Sequence, residues 1–329
     1  MLIAGVIAAP ATASAQESSP AEPARKVNDW TCSLTPEHPR PVVLAHGTGM
    51  SWTDAFGEPG SATNDAGLAK ELLAAGYCVY AENYGGTSYA GLPGITGITW
   101  GNDNIGRSAK QAATFVDTVL ARTNSSQVDI VAHSQGGTMA RQYLRFEGGA
   151  NPNNPALNKV HTLVMVAPST HGSTLEDFEV VDQNGLLVTL DVQQAFDTRY
   201  PTWLGETVRY AAAVADPTVG PAVYQQFVGS KFLATLNAGS ETLPGVHYTV
   251  IASNLWKGKQ NDGIITPKWD QSFLKVAAGD PFVENITVQD ACPGLPLSHT
   301  SGLLNHPAPQ FLVKKALDPT LGGTPPCAG

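Results

Sequence analysis

Short, uninterrupted apolar runs alternate along the chain with longer amphipathic stretches. Pro41-Val42-Val43-Leu44-Ala45-His46 is the first such run and stops at a glycine. Tyr77-Cys78-Val79-Tyr80-Ala81, Val128-Asp129-Ile130-Val131-Ala132, Val160 to Ala167, Tyr248 to Ala252 and Phe282 to Val288 repeat the pattern. Runs of this length, set off from helical patterns, predict strands buried on both faces. Between the first two, Ala62 to Ala75 carries helix formers and ends before Gly76, a helix stop signal. From Asn104 to Thr123 apolar residues fall at Ile105, Ala109, Ala112, Val116 and Val119, the spacing of a helix with one buried face. A helical run from Thr138 to Glu147 follows the third strand, and Pro309 to Leu317 reads as the last helix. Strands alternating with helices predict an α/β fold, a mostly parallel central sheet with helices on both faces.

One interval breaks this rhythm. Residues 172–246 lie between two expected strands and are far too long for an ordinary connection, so they form an excursion with structure of its own. The segment holds Phe178, Phe196, Tyr200, Trp203, Tyr210, Tyr224, Phe227 and Phe232, and nine acids against three bases. We read it as a cap insertion in a catalytic domain spanning residues 41–317. Residues 16–40, rich in Pro, Ser and Glu, read as a poorly ordered lead-in, and residues 318–329 as a C-terminal tail.

Composition narrows the class. Of 329 residues 42% are hydrophobic and 14% charged, against about 25% charged in an average globular protein, so the chain is neither a disordered tail nor a coiled coil. The net charge of −9 has the wrong sign for a phosphate-backbone binder, which argues against nucleic acid as a partner. Residues 1–15 are apolar and end in Ala13-Ser14-Ala15 ahead of a polar stretch, the pattern of a secretory signal peptide, although the first cation is Arg25. No segment has the 20 or so apolar residues of a transmembrane helix, and the expected location is extracellular. Four cysteines in an exported chain point to two disulfides. Three pairings are possible. Cys32–Cys78 with Cys292–Cys327 is favoured, because each bond ties a terminal segment to a nearby core element.

The chemistry centres on Ala132-His133-Ser134-Gln135-Gly136-Gly137, which stands between an expected strand and an expected helix. This is the G-x-S-x-G nucleophile elbow with alanine in the first position. Its turn is so sharp that a large residue at 132 or 136 would clash, and it exposes the Ser134 hydroxyl ahead of a helix N-terminus. A hydroxyl needs a base oriented by a carboxylate, and in this arrangement both follow the serine, in loops after later strands. Asp262, in Asn261-Asp262-Gly263, and His299, in Ser298-His299-Thr300, occupy those loops. Asp270, Asp280 and Asp290 are substitutes for the acid, and His306 is the rival base. The loop after the first strand, His46-Gly47-Thr48-Gly49, suits the other half of an oxyanion hole, with Thr48 and Gln135 as donors. His133 and His171 read as structural. No H-E-x-x-H, G-x-G-x-x-G or P-loop occurs, so neither a zinc hydrolase nor a nucleotide binder is indicated.

With these residues in place, the chain resembles the secreted bacterial lipases of the lipase class 2 group in the α/β-hydrolase superfamily. The likeness extends over roughly residues 30–320. It includes Gly76-Tyr77-Cys78-Val79-Tyr80-Ala81, Ala167-Pro168-Ser169, Gln225-Gln226, Leu236-Asn237-Ala238-Gly239 and Val288-Gln289-Asp290-Ala291-Cys292-Pro293. The resemblance implies an α/β-hydrolase fold and hydrolysis of fatty-acid esters by a triad of Ser134, Asp262 and His299. It assigns the oxyanion role to Thr48 and Gln135, implies no organic cofactor, and suggests a lipid substrate met at an oil–water interface; no residue is read as a metal ligand. The chain departs from the family pattern in Gln260-Asn261-Asp262-Gly263-Ile264-Ile265-Thr266-Pro267 and in Ser298, where an acid is expected. A polyester or cutin hydrolase, or an acyltransferase, would use the same triad. A lipid-binding module with a relic elbow would keep the pattern without the chemistry.

Overall fold

The computed structural model describes residues 25–57, 64, 66–88, 98–181, 186–216, 219–276 and 281–328. The expected signal peptide, residues 1–15, lies outside the described residues. In chain order the elements are β1 (Val42–Ala45), α1 (Trp52–Phe56), α2 (Leu68–Ala74), β2 (Val79–Ala81), β3 (Thr87–Ser88), β4 (Ile98–Thr99), α3 (Ile105–Thr123), β5 (Val128–His133), α4 (Gln135–Phe146), β6 (Val160–Val166), β7 (Phe178–Val181) and β8 (Leu187–Leu190). They continue with α5 (Val192–Arg199), α6 (Glu206–Ala215), α7 (Gly220–Gln225), α8 (Lys231–Leu236), β9 (His247–Ala252), β10 (Val283–Thr287), α9 (Val288–Ala291), α10 (Ser301–Asn305) and α11 (Pro307–Leu317).

The six apolar runs become six strands paired in parallel in the order β10-β9-β6-β5-β1-β2. Side chains alternate between two cores. Val42, Leu44, Val131, Val164 and Ile251 face one side, where α1, α2, α10 and α11 contribute Phe56, Leu68, Leu72, Leu303 and Val313. Val43, Ala45, Ile130, Ala132, Leu163 and Met165 face the other, against Ile105, Ala109 and Val116 of α3 and Met139, Tyr143 and Leu144 of α4. Burial on both faces is why these strands read as continuous apolar runs rather than as alternating ones.

Strand order positions the site. The chain leaves β1 outward to β2 and then returns to place β5 on the other flank of β1, with Leu44 opposite both Ala81 and Val131. The loops leaving the carboxyl ends of β1 and β5 therefore diverge and open a crevice, the usual ligand position in such sheets.

Local differences from the sequence reading have physical causes. The helix expected over residues 62–75 is described as α2 from Leu68, because Gly67 sits in an extended conformation as its N-cap. The last helix opens at Pro307 rather than Pro309, since a proline suits the first turn and the His306 ring accepts the Ala308 N–H at 3.1 Å. Residues 25–40, expected as a loose lead-in, run beside the edge strand β2. Asn28 donates its N–H to the Val79 carbonyl at 2.9 Å, and its side chain exchanges two 2.9 Å hydrogen bonds with Ala81. Cys32 is bonded to Cys78, and Cys292 to Cys327, the favoured pairing.

The excursion at 172–246 contains a two-stranded hairpin, β7 with β8, and helices α5 to α8. Phe196, Ala213, Val219, Tyr224 and Phe227 give it a small core of its own. Among the described residues no helix is long and apolar enough to cross a membrane.

Candidate active site

Ser134 stands between β5 and α4 as the helix N-cap, with a positive φ of 55° and ψ −129°, a strained state for a residue with a Cβ that costs on the order of 1–3 kcal/mol. The surroundings hold it there. Its N–H donates to the Val166 carbonyl at 2.9 Å, and its own carbonyl accepts the Gly137 N–H at 2.9 Å. The helix can follow so abruptly only because position 136 lacks a side chain: a Cβ there would lie 2.4 Å from the Ala45 carbonyl oxygen and 2.6 Å from that of His46. Gln135 sits in the first turn of α4, where backbone N–H groups lack intrahelical acceptors. Its amide is a ready donor beside Ser134.

Asp262 and His299, 37 residues apart, are joined directly. His299 Nδ1–H donates to Asp262 Oδ2 at 2.8 Å, and the His299 N–H donates to the Asp262 carbonyl at 2.9 Å. The other carboxylate oxygen accepts the N–H groups of Ile264 and Ile265 at 2.9 and 2.8 Å. Both side chains are buried. With Nδ1 committed as a donor, the neutral imidazole presents an unprotonated Nε2, which is buried and has no hydrogen-bond partner among the described residues. Ser134 and His299 line one cavity, without a hydrogen bond between their side chains. Such contacts often tighten only when substrate is bound.

The other candidates from the sequence stand elsewhere. Asp290 caps α9 by accepting the Thr287 N–H at 2.8 Å, and Asp270 lies in the single helical turn Trp269–Ser272. Asp280 is outside the described residues, and His306 caps α11. Ser298 accepts the Gly302 N–H at 3.0 Å and so steadies the start of α10. His133, read as structural, donates from Nε2 to the His299 carbonyl at 2.9 Å, its ring centroid 4.8 Å from that of His299. Burial, reinforced by the neighbouring imidazole of His299, holds it well below the usual histidine range, so it braces the loop as a neutral ring.

The loop after β1 is fixed from behind. His46 donates from Nδ1 to the Gly47 carbonyl at 2.9 Å, accepts the Tyr84 N–H at Nε2 at 3.2 Å, and stacks on the Tyr84 ring at 4.1 Å. The Tyr84 hydroxyl donates to the His46 carbonyl. Burial pushes the His46 ring down to about 4, which keeps it neutral and in that tautomer. Gly47 passes so close to Ser134 that a Cβ would lie 3.1 Å from the serine Cβ. Thr48 follows, its hydroxyl accepting a hydrogen bond from Gln226 Nε2 at 3.0 Å. Sequence reasoning missed Gln226. The Gln225-Gln226 pair was visible, but nothing local to it points at a residue 178 positions away.

The cavity holds about 450 Å³. Thr48, Ser134 and His299 form one wall. Leu175, Phe178, Val192, Val219 and Val223 from the excursion line it too, with Ile264 and Ile265. A cleft of about 360 Å³ lies beside it, also touching Asp262 and His299 but lined by Asp177, Glu179, Lys257 and Lys259. Lys257 pairs with Glu179 at 2.6 Å, Lys259 pairs with Asp177, and Asn261 Nδ2 donates to Asp177 at 2.9 Å. These contacts tie the β7–β8 hairpin to the loop that carries Asp262. What the arrangement can do is bury an apolar chain next to a hydroxyl and an imidazole.

The sheet, the strained serine at a strand–helix turn and the later acid and histidine loops define an α/β-hydrolase fold. The chain belongs to the class 2 lipases: residues 39–280 match the family described as Lipase (class 2), a stretch that includes Ser134 and Asp262 and ends before His299. In three dimensions it is similar to lipase B of Aspergillus fumigatus, with a TM-score of 0.52 and 18% identity over 87% of this chain and 54% of that one. Bacillus licheniformis lipase BlEst2 in its mature form gives 0.50 and 16%, over 86% and 91% of the two chains. The propeptide form of the same lipase gives 0.54 and 16%, over 93% and 54%. At these identities the likeness shows the fold. The chain spans about half the length of the A. fumigatus protein, 54%.

Proposed function

We propose that the protein is a secreted serine hydrolase of the triacylglycerol lipase type, working through an acyl-enzyme on Ser134. Ser134 Oγ attacks the ester carbonyl carbon while its proton passes to His299 Nε2. Asp262 holds the Nδ1–H tautomer and stabilises the imidazolium. The carbonyl oxygen gains negative charge and is met by the N–H groups of Gln135 and Thr48. As the tetrahedral intermediate collapses, the bond to the alcohol oxygen breaks and His299 protonates the departing alkoxide. Water then repeats the sequence on the acyl-enzyme, giving its proton to His299, and the carboxylic acid leaves with Ser134 restored.

The observation that carries this reading is the meeting of a strained serine and a hydrogen-bonded Asp262–His299 pair on one apolar cavity. The excursion at 172–246 acts as the cap over the acyl chain, because its Leu175, Phe178, Val192, Val219 and Val223 line the cavity that Ser134 and His299 share. Export is supported by two disulfides, which persist in oxidising compartments. The test is hydrolysis of p-nitrophenyl acyl esters by purified protein beside Ser134→Ala. Activity is expected to rise from four to twelve carbons, since each buried methylene contributes up to about 0.8 kcal/mol, and to vanish in the variant. Flat or falling activity would mark a short-chain esterase. Turnover surviving in Ser134→Ala would remove the serine from the mechanism.

A further inference from the structure

We propose that Gln226 is a positioning residue: through a one-way chain of hydrogen bonds it turns the Thr48 hydroxyl proton toward the oxyanion position, adding an O–H donor to the backbone N–H groups. This rests on the serine-hydrolase reading and deepens it.

The direction of the chain follows from what each atom can do. Gln226 caps the C-terminus of α7, is nine-tenths buried and lines the cavity with Thr48, Ser134 and Ser169. Its Nε2 lies 3.0 Å from the Ala222 carbonyl oxygen, which can only accept. That contact excludes the flipped amide, in which two acceptors would face each other. The second proton of the same nitrogen is then directed at Thr48 Oγ1, at 3.0 Å, so Thr48 accepts there and keeps its own proton for another partner. At the other end of the amide, Oε1 can only accept, so Ser169 donates to it at 2.8 Å. Ser169 Oγ, its one proton committed, must accept from Thr138 Oγ1 at 2.8 Å. The order is Thr138 to Ser169 to Gln226 to Thr48, and the last hydroxyl is left with a proton to give.

The chain crosses four elements that meet at the site: α4 behind the elbow, the loop after β6, the end of α7 in the excursion, and the loop after β1. It contains no titratable group, so its direction does not change with pH. Because negative charge on the carbonyl oxygen develops only in the transition state, a donor aimed there raises kcat and leaves ground-state binding nearly unchanged. Without Gln226 the Thr48 hydroxyl is free to rotate and share its proton with other acceptors.

The test is a double-mutant cycle on the full chain with a soluble p-nitrophenyl ester: the unmodified protein, Gln226→Met, Thr48→Val, and both together. Thr48→Val is expected to lower kcat about 100-fold, the loss typical of one oxyanion donor, with KM little changed. Gln226→Met is expected to lower kcat about tenfold in the Thr48 protein and to produce no further loss in the Thr48→Val background. All four proteins should be labelled at Ser134 by a fluorophosphonate and melt at similar temperatures. Equal loss from Gln226→Met in both backgrounds would show packing alone and overturn the proposal, as would unchanged kcat in the first. If Gln226→Met does not fold, Gln226→Leu, which also removes the donor to Thr48, enters the same cycle with the same expectation. Failure of the unmodified protein to label would defeat the serine reading itself, a different result from any of these.

Discussion

Replacing Asp262 by Asn isolates the electronic role of the carboxylate, because the amide can keep the structural contacts. In the structure Oδ1 takes the N–H groups of Ile264 and Ile265 at 2.9 and 2.8 Å, and Oδ2 takes the His299 Nδ1–H at 2.8 Å. An asparagine oriented by those two backbone donors keeps its oxygen toward them and presents its NH₂ to His299. Nδ1 must then accept, the proton moves to Nε2, and the imidazole can no longer take the proton of Ser134. The wrong tautomer lowers kcat by about 10⁴ in hydrolases built this way, equivalent to about 5.5 kcal/mol of barrier. The assay is kcat and KM on a soluble p-nitrophenyl ester together with a thermal melt. The expected outcome is a loss of about four orders in kcat with KM and melting temperature nearly unchanged. A variant that is fully folded and retains kcat within tenfold would refute the claim that Asp262 sets the histidine tautomer.

Other perturbations probe the supports of the site. Gly136→Ala puts a Cβ 2.4 Å from the Ala45 carbonyl oxygen, so stability should fall by about 1–3 kcal/mol and kcat with it; an unchanged melt and full activity would contradict the packing argument. Glu82 is half-buried, with one buried oxygen that has no hydrogen-bond partner among the described residues, and burial raises its carboxyl to about 8 from 4.5. Between those values the unfolded chain ionises and the folded one does not, so the folded state loses about 1.4 kcal/mol per pH unit, more than about 3 kcal/mol by pH 7. Glu82→Gln should therefore melt higher than the unmodified protein, by a margin that grows from pH 5 to pH 8; a constant margin would contradict the assignment. Replacing Cys32 and Cys78 by Ser opens a loop closed over a separation of 46 residues and should cost about 4 kcal/mol in denaturant titrations on the chain-entropy estimate.

The central strands were legible because both of their faces are covered: Val42 to Ala45 and Val160 to Val166 had no reason to alternate. Their lateral order was not. Placing β5 beside β1 rather than beside β2 is decided by how α2 and α3 pack on opposite faces, and no local pattern along the chain records that. Helix ends shifted where single residues act, at Gly67 as an extended cap and at His306 ahead of Pro307. In the candidate site, the elbow around Ser134 carries a local signature since its strain demands small neighbours. Asp262, Asp270 and Asp290 look alike in sequence. They are separated by backbone donors at 264 and 265 and by the His299 ring, contacts that exist only after folding. The part played by Gln226 left no local signal for the same reason, its amide joining three segments with no period to betray it.

The central claim is that Ser134 is the nucleophile of a covalent acyl-transfer reaction, and covalent trapping tests it most directly. Incubation with an alkyl fluorophosphonate followed by peptide mass spectrometry should show one adduct per chain, on the peptide containing Ser134, with activity lost in proportion to labelling and labelling greatly slowed in His299→Ala. Full ester hydrolysis in a protein that carries no adduct, or an adduct confined to another serine, would contradict the account.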